Sequence, residues 1–148
     1  MTADEVIRLL DLRRHPEGGW FRETYRAAAD GDTRAASTAI YYLLKGGETA
    51  HWHRLRDTDE VWHFYAGAPL ALSIAEGPRG QIRTITLGTS IRLDERPQAV
   101  VPANAWQSAR SFGDWTLAGC TVAPAFSFDQ FELAPPDWRP GRPLPQAD

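Results

Sequence analysis

A chain of 148 residues has the length of one domain and can bury a single core without help from disulfides or structural metals. Its apolar fraction of 43%, charged fraction of 24% and formal charge of -3 give no basic field for nucleic acid and point to small-molecule partners. The lone cysteine, Cys120, excludes an intramolecular disulfide, and no apolar run approaches the roughly 20 residues of a membrane-spanning helix; MTADEVIRLL lacks the basic-then-apolar order of a secretory leader, so a cytoplasmic address is expected.

Residues 2–13 predict a short amphipathic helix, with Thr2 placed to cap it, Asp4 and Glu5 in the first turn, and Val6, Ile7, Leu9 and Leu10 at helical spacing. HPEGGWFRETYRA then supplies Pro and Gly punctuation before an alternating stretch, Trp20 to Tyr25, that reads as a strand. Beyond it helical periodicity is nearly absent. STAIYYLL, EVWHFYAG, LALSIA, IRTITLG, QAVVPANAWQSAR and WTLAGCTVA are short, rich in β-branched and aromatic residues, and separated by Gly, Pro, Asp or Asn turns. Such spacing predicts an all-β domain, an antiparallel sandwich or barrel, over residues 1–134. The Pro-rich tail, residues 135–148, holds five of the eleven prolines and is expected to lie over the surface or fray rather than join a sheet.

The stretch GGETAHWHRLRDTDEVWHFYAG, residues 46–67, carries three of the four histidines. On an extended strand His51 and His53 point to one face and Trp52 to the other, so both imidazoles are expected to converge on one ion or one substrate. Glu60 opens the next strand and enters the same space if the two strands pair as a hairpin. His63 has the opposite parity to Glu60 and is expected on the other face. Two chemistries are open. Two imidazoles and a carboxylate make an open site for Fe, Mn, Ni or Zn; without a metal, His53 serves as a general base with Glu60 as its partner. Arg22 is either a solvated charge or a fork of donors that grips an anionic or carbonyl substrate. Trp62, Phe64 and Trp106 are either core aromatics or a stacking wall for a planar or sugar ligand. Cys120, in LAGCTVA, reads as a packed, inert thiol, and no phosphate loop or dinucleotide fingerprint is present.

The order Gly46 or Gly47, His51, His53, Glu60, Gly67 resembles the first motif of the cupin superfamily, with a longer gap between His53 and Glu60 than is usual there. PANAWQ resembles the second motif, with Pro102 in place, Asn104 where glycine is usual, and Gln107 at the position of the last histidine ligand. HPEGGWFRETYR, HRLRDTDEVWHFYAG, VVPANAWQSAR and GCTVAPAFSFDQFELA resemble, in order, the signatures of a single-domain cupin subfamily without an assigned reaction. The resemblance implies a double-stranded β-helix, the cupin jelly roll, with a short N-terminal helix. It also implies similarity to the sugar-nucleotide 3,5-epimerase fold and a homodimer with exchanged N-terminal strands. The metal set it implies is His51, His53, Glu60 and Gln107, in which the neutral Gln107 amide is a weaker ligand than imidazole. The expected function is then the binding of a polar small molecule in the barrel mouth, with isomerase- or epimerase-type chemistry carried by His53 and Glu60, either metal-assisted or by acid and base. The alternative is a non-catalytic sensor or storage protein that uses the same pocket.

Overall fold

The computed structural model describes residues 1–77 and 80–144. Helix α1 (Ala3–Leu9) opens with a capping box, in which Thr2 Oγ1 accepts from the Glu5 N–H and the Glu5 carboxylate accepts from the Thr2 N–H. It stops short of the predicted residue 13. Asp11 adopts a left-handed conformation, φ 54°, and the N–H groups of Asp11 and Leu12 return to the carbonyls of Arg8 and Ile7, the two bonds of a Schellman cap. Aspartate in the place glycine usually takes concealed this stop. Leu12 then folds back to pack with Val6 and Leu43.

The described strands are β1 (Arg13–Arg14), β2 (Trp20–Arg26), β3 (Thr38–Lys45), β4 (Thr49–Leu55), β5 (Asp59–Gly67), β6 (Leu70–Glu76), β7 (Gln81–Leu87), β8 (Gln98–Val101), β9 (Trp106–Ser111), β10 (Trp115–Ala123) and β11 (Phe131–Leu133). They form two antiparallel sheets, in the orders β1-β2-β3-β10-β5-β8 and β11-β4-β9-β6-β7, that face each other as a double-stranded β-helix. Strand β2 lies between β1 and β3 of its own chain. Alternation sorts the side chains: Tyr42 and Leu44 on β3 enter the space between the sheets, while Tyr41 and Leu43 face outward under α1. Ala118 and Cys120 on β10 and Leu72 and Ile74 on β6 complete the inner layer. Full burial of one Leu or Ile side chain is worth about 1.5–3 kcal/mol, so this layer supplies much of the cohesion between the sheets.

The predicted segment QAVVPANAWQSAR divides into β8 and β9 at a turn in which the Ala105 N–H donates to the Pro102 carbonyl and Asn104 sits at φ 70°. Asn tolerates this conformation better than most residues, so the turn survives without the usual glycine. Strand β11, only three residues long, had no readable periodicity. In the Pro-rich tail, Trp138 is 7% exposed and packs on Trp52 and Trp106, on the outer side of the second sheet. Residues 145–148 of that tail lie outside the described residues. Among the described residues no helix is long and apolar enough to cross a membrane.

The connection from β1 to β2 is a tight turn. The Gly18 N–H donates to the His15 carbonyl and the His15 N–H to the Gly19 carbonyl, both at 3.0 Å, and Pro16 occupies the second turn position, where its fixed φ is favoured. Gly18 and Gly19 have φ of 107° and 76°. A Cβ on Gly18 would fall on the Thr49 carbonyl oxygen, and one on Gly19 would lie 2.7 Å from Tyr42 Oη and 2.8 Å from the Leu43 carbonyl oxygen. The two glycines therefore let the turn press flat against β3 and β4. Gly47 is also left-handed, φ 83°, but a Cβ there meets nothing within 4 Å. Gly18→Ala is expected to cost about 3 kcal/mol or more, conformational strain plus displaced backbone, whereas Gly47→Ala costs only the left-handed penalty of about 1–2 kcal/mol. Urea unfolding of both variants beside the wild type measures the difference.

Candidate functional site

A cavity of about 290 Å³ opens between the sheets, bordered by the His15–Gly19 turn and by the loop that joins β10 to β11. At its floor the Glu17 carboxylate reaches His53 Nε2 at 2.7 Å. His53 Nδ1 donates to the His51 carbonyl, also at 2.7 Å, so both ring nitrogens are engaged and the pair reads as imidazolium and carboxylate. Burial alone would pull the His53 imidazole down, but the Glu17 charge and hydrogen bond outweigh it and hold the ring above its ordinary 6.5. Burial would likewise push the Glu17 carboxyl up, and the His53 charge and hydrogen bond hold it below its ordinary 4.5. His15 is different. Its Nδ1 accepts from the Glu17 N–H at 3.2 Å, and burial lowers it, so it is a neutral ring beside the pair.

Glu60 enters the cavity from β5, in the opposite sheet. Burial pushes its carboxyl up to about 7; His53 pulls it down, Glu17 adds to the rise, and hydrogen bonding to Gln107 and Trp62 works against it. One carboxyl is thus ionised and the other carries a proton near neutrality, the separation that defines an acid and a base within one site.

A β-bulge in β4 builds this arrangement. Ala50 pairs with Ala109 and His53 with Gln107, so His51 and Trp52 together oppose the single residue Ser108. The extra residue turns both Ala50 and His53 inward. It also frees the His51 main chain for the site: its N–H donates to the Glu17 carbonyl at 2.8 Å and its carbonyl receives the His53 proton. The His51 ring points away, with Nε2 2.9 Å from the Pro135 carbonyl.

The predicted residues are thereby divided. His53, Glu60 and Trp62 line the cavity; His51 contributes its backbone and not its imidazole. Glu60 meets His53 across the barrel, since β4 and β5 lie in different sheets rather than in one hairpin. Gln107 is buried, and its Oε1 accepts from Trp62 Nε1 at 2.9 Å. Arg22 is exposed and donates to the Leu10 carbonyl. Phe64 packs against the core, and Trp106 makes a tilted contact with Trp138, ring centroids 4.5 Å apart, on the far side of the second sheet, beneath the Arg54 guanidinium. His63 lies outside the cavity, against Thr121 Oγ1 and Gln98. His15 and Glu17 join the site without being expected there: HPEGGW reads as Pro and Gly punctuation, and two titratable residues inside such a turn are the available signal. The set His51, His53, Glu60 and Gln107 does not fit a metal ion, because one ring is turned away, the other is saturated by Glu17 and the His51 carbonyl, and the Gln107 oxygen is taken by an indole. Among the described residues, no three His, Cys, Asp or Glu side chains are arranged to hold one.

The chain matches the family model described as Cupin superfamily (DUF985) over residues 4–134. It is 40% identical to protein SO0799 from Shewanella oneidensis, with a TM-score of 0.84 over 90% of this chain and 84% of that one. It is 31% identical to a hypothetical protein from Leishmania major, with a TM-score of 0.81 over 89% and 86% of the two chains. Oxalate decarboxylase from Bacillus subtilis, an enzyme described with Mn(II) centers, shares the fold alone: 15% identity, TM-score 0.63, and 84% of this chain against 30% of that one. No curated protein matches the chain. The fold is that of a cupin. The chain belongs to the cupin superfamily, in the family described as DUF985.

Two consequences of the buried charges are measurable. Between pH 4.5 and about 7 the folded Glu60 carries a proton that the unfolded chain has lost, so this group's stabilisation is complete below 4.5 and disappears as pH rises through 7, by at most about 3 kcal/mol. Glu60→Gln removes that loss, and thermal melts should show the variant several degrees above the wild type at pH 8 but not at pH 4.5. Glu17→Gln leaves a buried imidazolium without a counter-charge; it should cost about 3–5 kcal/mol and drop His53 from above its ordinary value to below it, which NMR titration of the ring proton reads directly.

Proposed function

We propose that this cupin binds a small molecule with a polar end in the barrel cavity and moves a proton on it, as an isomerase- or epimerase-type enzyme. The observation that carries the reading is the pairing of an ionised Glu17, held by His53, with a Glu60 that keeps its proton near neutrality, both in one cavity. A carbonyl oxygen placed at the floor would meet the Glu60 acid as a hydrogen-bond donor, while the Glu17 carboxylate accepts the proton from the adjacent carbon. His53 then acts through Glu17, orienting it and stabilising its charge, and the His51 carbonyl fixes the ring by its Nδ1–H. The roles differ from the expected pair, His53 as base with Glu60 as its partner, because Glu17 occupies His53 Nε2.

Deuterium exchange tests this. Pyruvate, dihydroxyacetone and acetophenone are incubated with the protein in D₂O and followed by NMR. At least one should gain deuterium, and at least 100-fold more slowly with Glu60→Gln, in keeping with the usual contribution of a general acid or base. Absence of exchange above buffer with the wild type would favour the sensor or storage alternative. Stoichiometric Zn, Ni, Fe or Mn in the purified protein would favour the metal-assisted one.

A further inference from the structure

The character of the cavity walls narrows the class of ligand. Four of the six phenylalanines in the chain, Phe21, Phe126, Phe128 and Phe131, line this one space. Phe126, Phe128 and Phe131 come from the β10–β11 loop and the start of β11, and they hold one another: ring centroids are 4.8 Å apart for Phe126 and Phe128, in edge-to-face contact, and 5.9 Å for each with Phe131. Trp62 and Ile40 continue the apolar wall from the facing strands. Phe128 is 60% exposed, an apolar ring kept at the rim with no protein partner covering most of it.

The charges point the same way. Each cation lining the cavity is already matched: His53 by Glu17 at 2.7 Å, and Arg26 by Glu23 at 2.7 Å, with a second Arg26 contact to the Phe126 carbonyl. Glu60 adds a third carboxyl. An anion entering this space finds no free counter-charge among the described residues, and a polyol finds phenyl rings where its hydroxyls need partners.

We propose that the cavity takes a neutral ligand with a planar, apolar or aromatic body and a single carbonyl or hydroxyl end, the body against the phenylalanine wall and the polar end at Glu17 and Glu60. The proposal rests on the acid-base reading for the location of the reactive end and extends it by naming what the site admits. It separates this chain from a pocket built for small dianions or for sugars, although the barrel is shared.

Three probes separate the properties: acetophenone is neutral and aromatic with one carbonyl end, benzoate is the same ring with a carboxylate, and methyl α-D-glucopyranoside is neutral without an apolar body. Calorimetric titration of the full chain at pH 7 should show the ketone binding at least tenfold more tightly than the benzoate, with no detectable heat from the glucoside. Phe128→Ala, at an exposed position whose loss leaves the core intact, should weaken the ketone at least threefold with an unchanged circular dichroism spectrum. Equal or tighter binding of the benzoate or the glucoside, failure of the ketone to bind, or indifference to Phe128→Ala would overturn the proposal. The two readings fail separately. Ketone binding without deuterium exchange defeats the acid-base function and leaves the ligand class standing, whereas exchange into dihydroxyacetone without ketone binding does the reverse.

Discussion

A carboxylate and an imidazolium, buried together at the floor of the barrel, set the terms for everything near them. Neither group tolerates isolation there, since an unpaired charge in so dry a place costs several kcal/mol, so every element that positions one must also hold the other. The His15–Gly19 turn delivers Glu17, and β4 delivers His53. The His51 backbone ties the two together, bonding the Glu17 main chain with its N–H and the His53 ring with its carbonyl. Glu60 shares this dry space: burial above all, with the Glu17 charge added, holds its carboxyl back from ionising against the pull of His53.

The barrel was legible because period-two alternation and turn residues are local properties. Strand β10 is recognisable as a strand from WTLAGCTVA, and parity within β5 separates Glu60, inside the cavity, from His63, outside it. The site was less legible because it is made by an irregularity. Parity put His51 and His53 on one face, and the bulge between Ala50 and His53 cancels that parity. No pattern in TAHWHRL marks the extra residue; it is visible only through the register against β9. The partnership of Glu17 with His53 joins positions far apart in sequence, and a turn rich in Pro and Gly gives no local sign that one of its side chains is aimed inward.

A shared barrel dictates little of the chemistry inside it. Oxalate decarboxylase shares the fold at 15% identity. In this chain one extra residue in β4 turns an imidazole to the outside, and the Gln107 side chain serves an indole instead of the cavity. Fold and chemistry are set at different levels: the sheets require only alternating apolar residues, while the cavity floor depends on a handful of side chains and on where the register slips.

The family match ends at residue 134, but the packing does not. Trp138 closes over Trp52 and Trp106, its indole N–H donates to the Arg142 carbonyl, and the Pro135 carbonyl holds the His51 ring. A truncated form cut where the similarity stops would therefore bare two indoles on the outer sheet and release the side chain of the very residue whose main chain grips the floor. For anyone preparing this protein by recombinant expression, the packed tail reaches at least Leu144, and a fusion partner joined close behind Ala134 would disturb the cavity from the opposite side of the barrel.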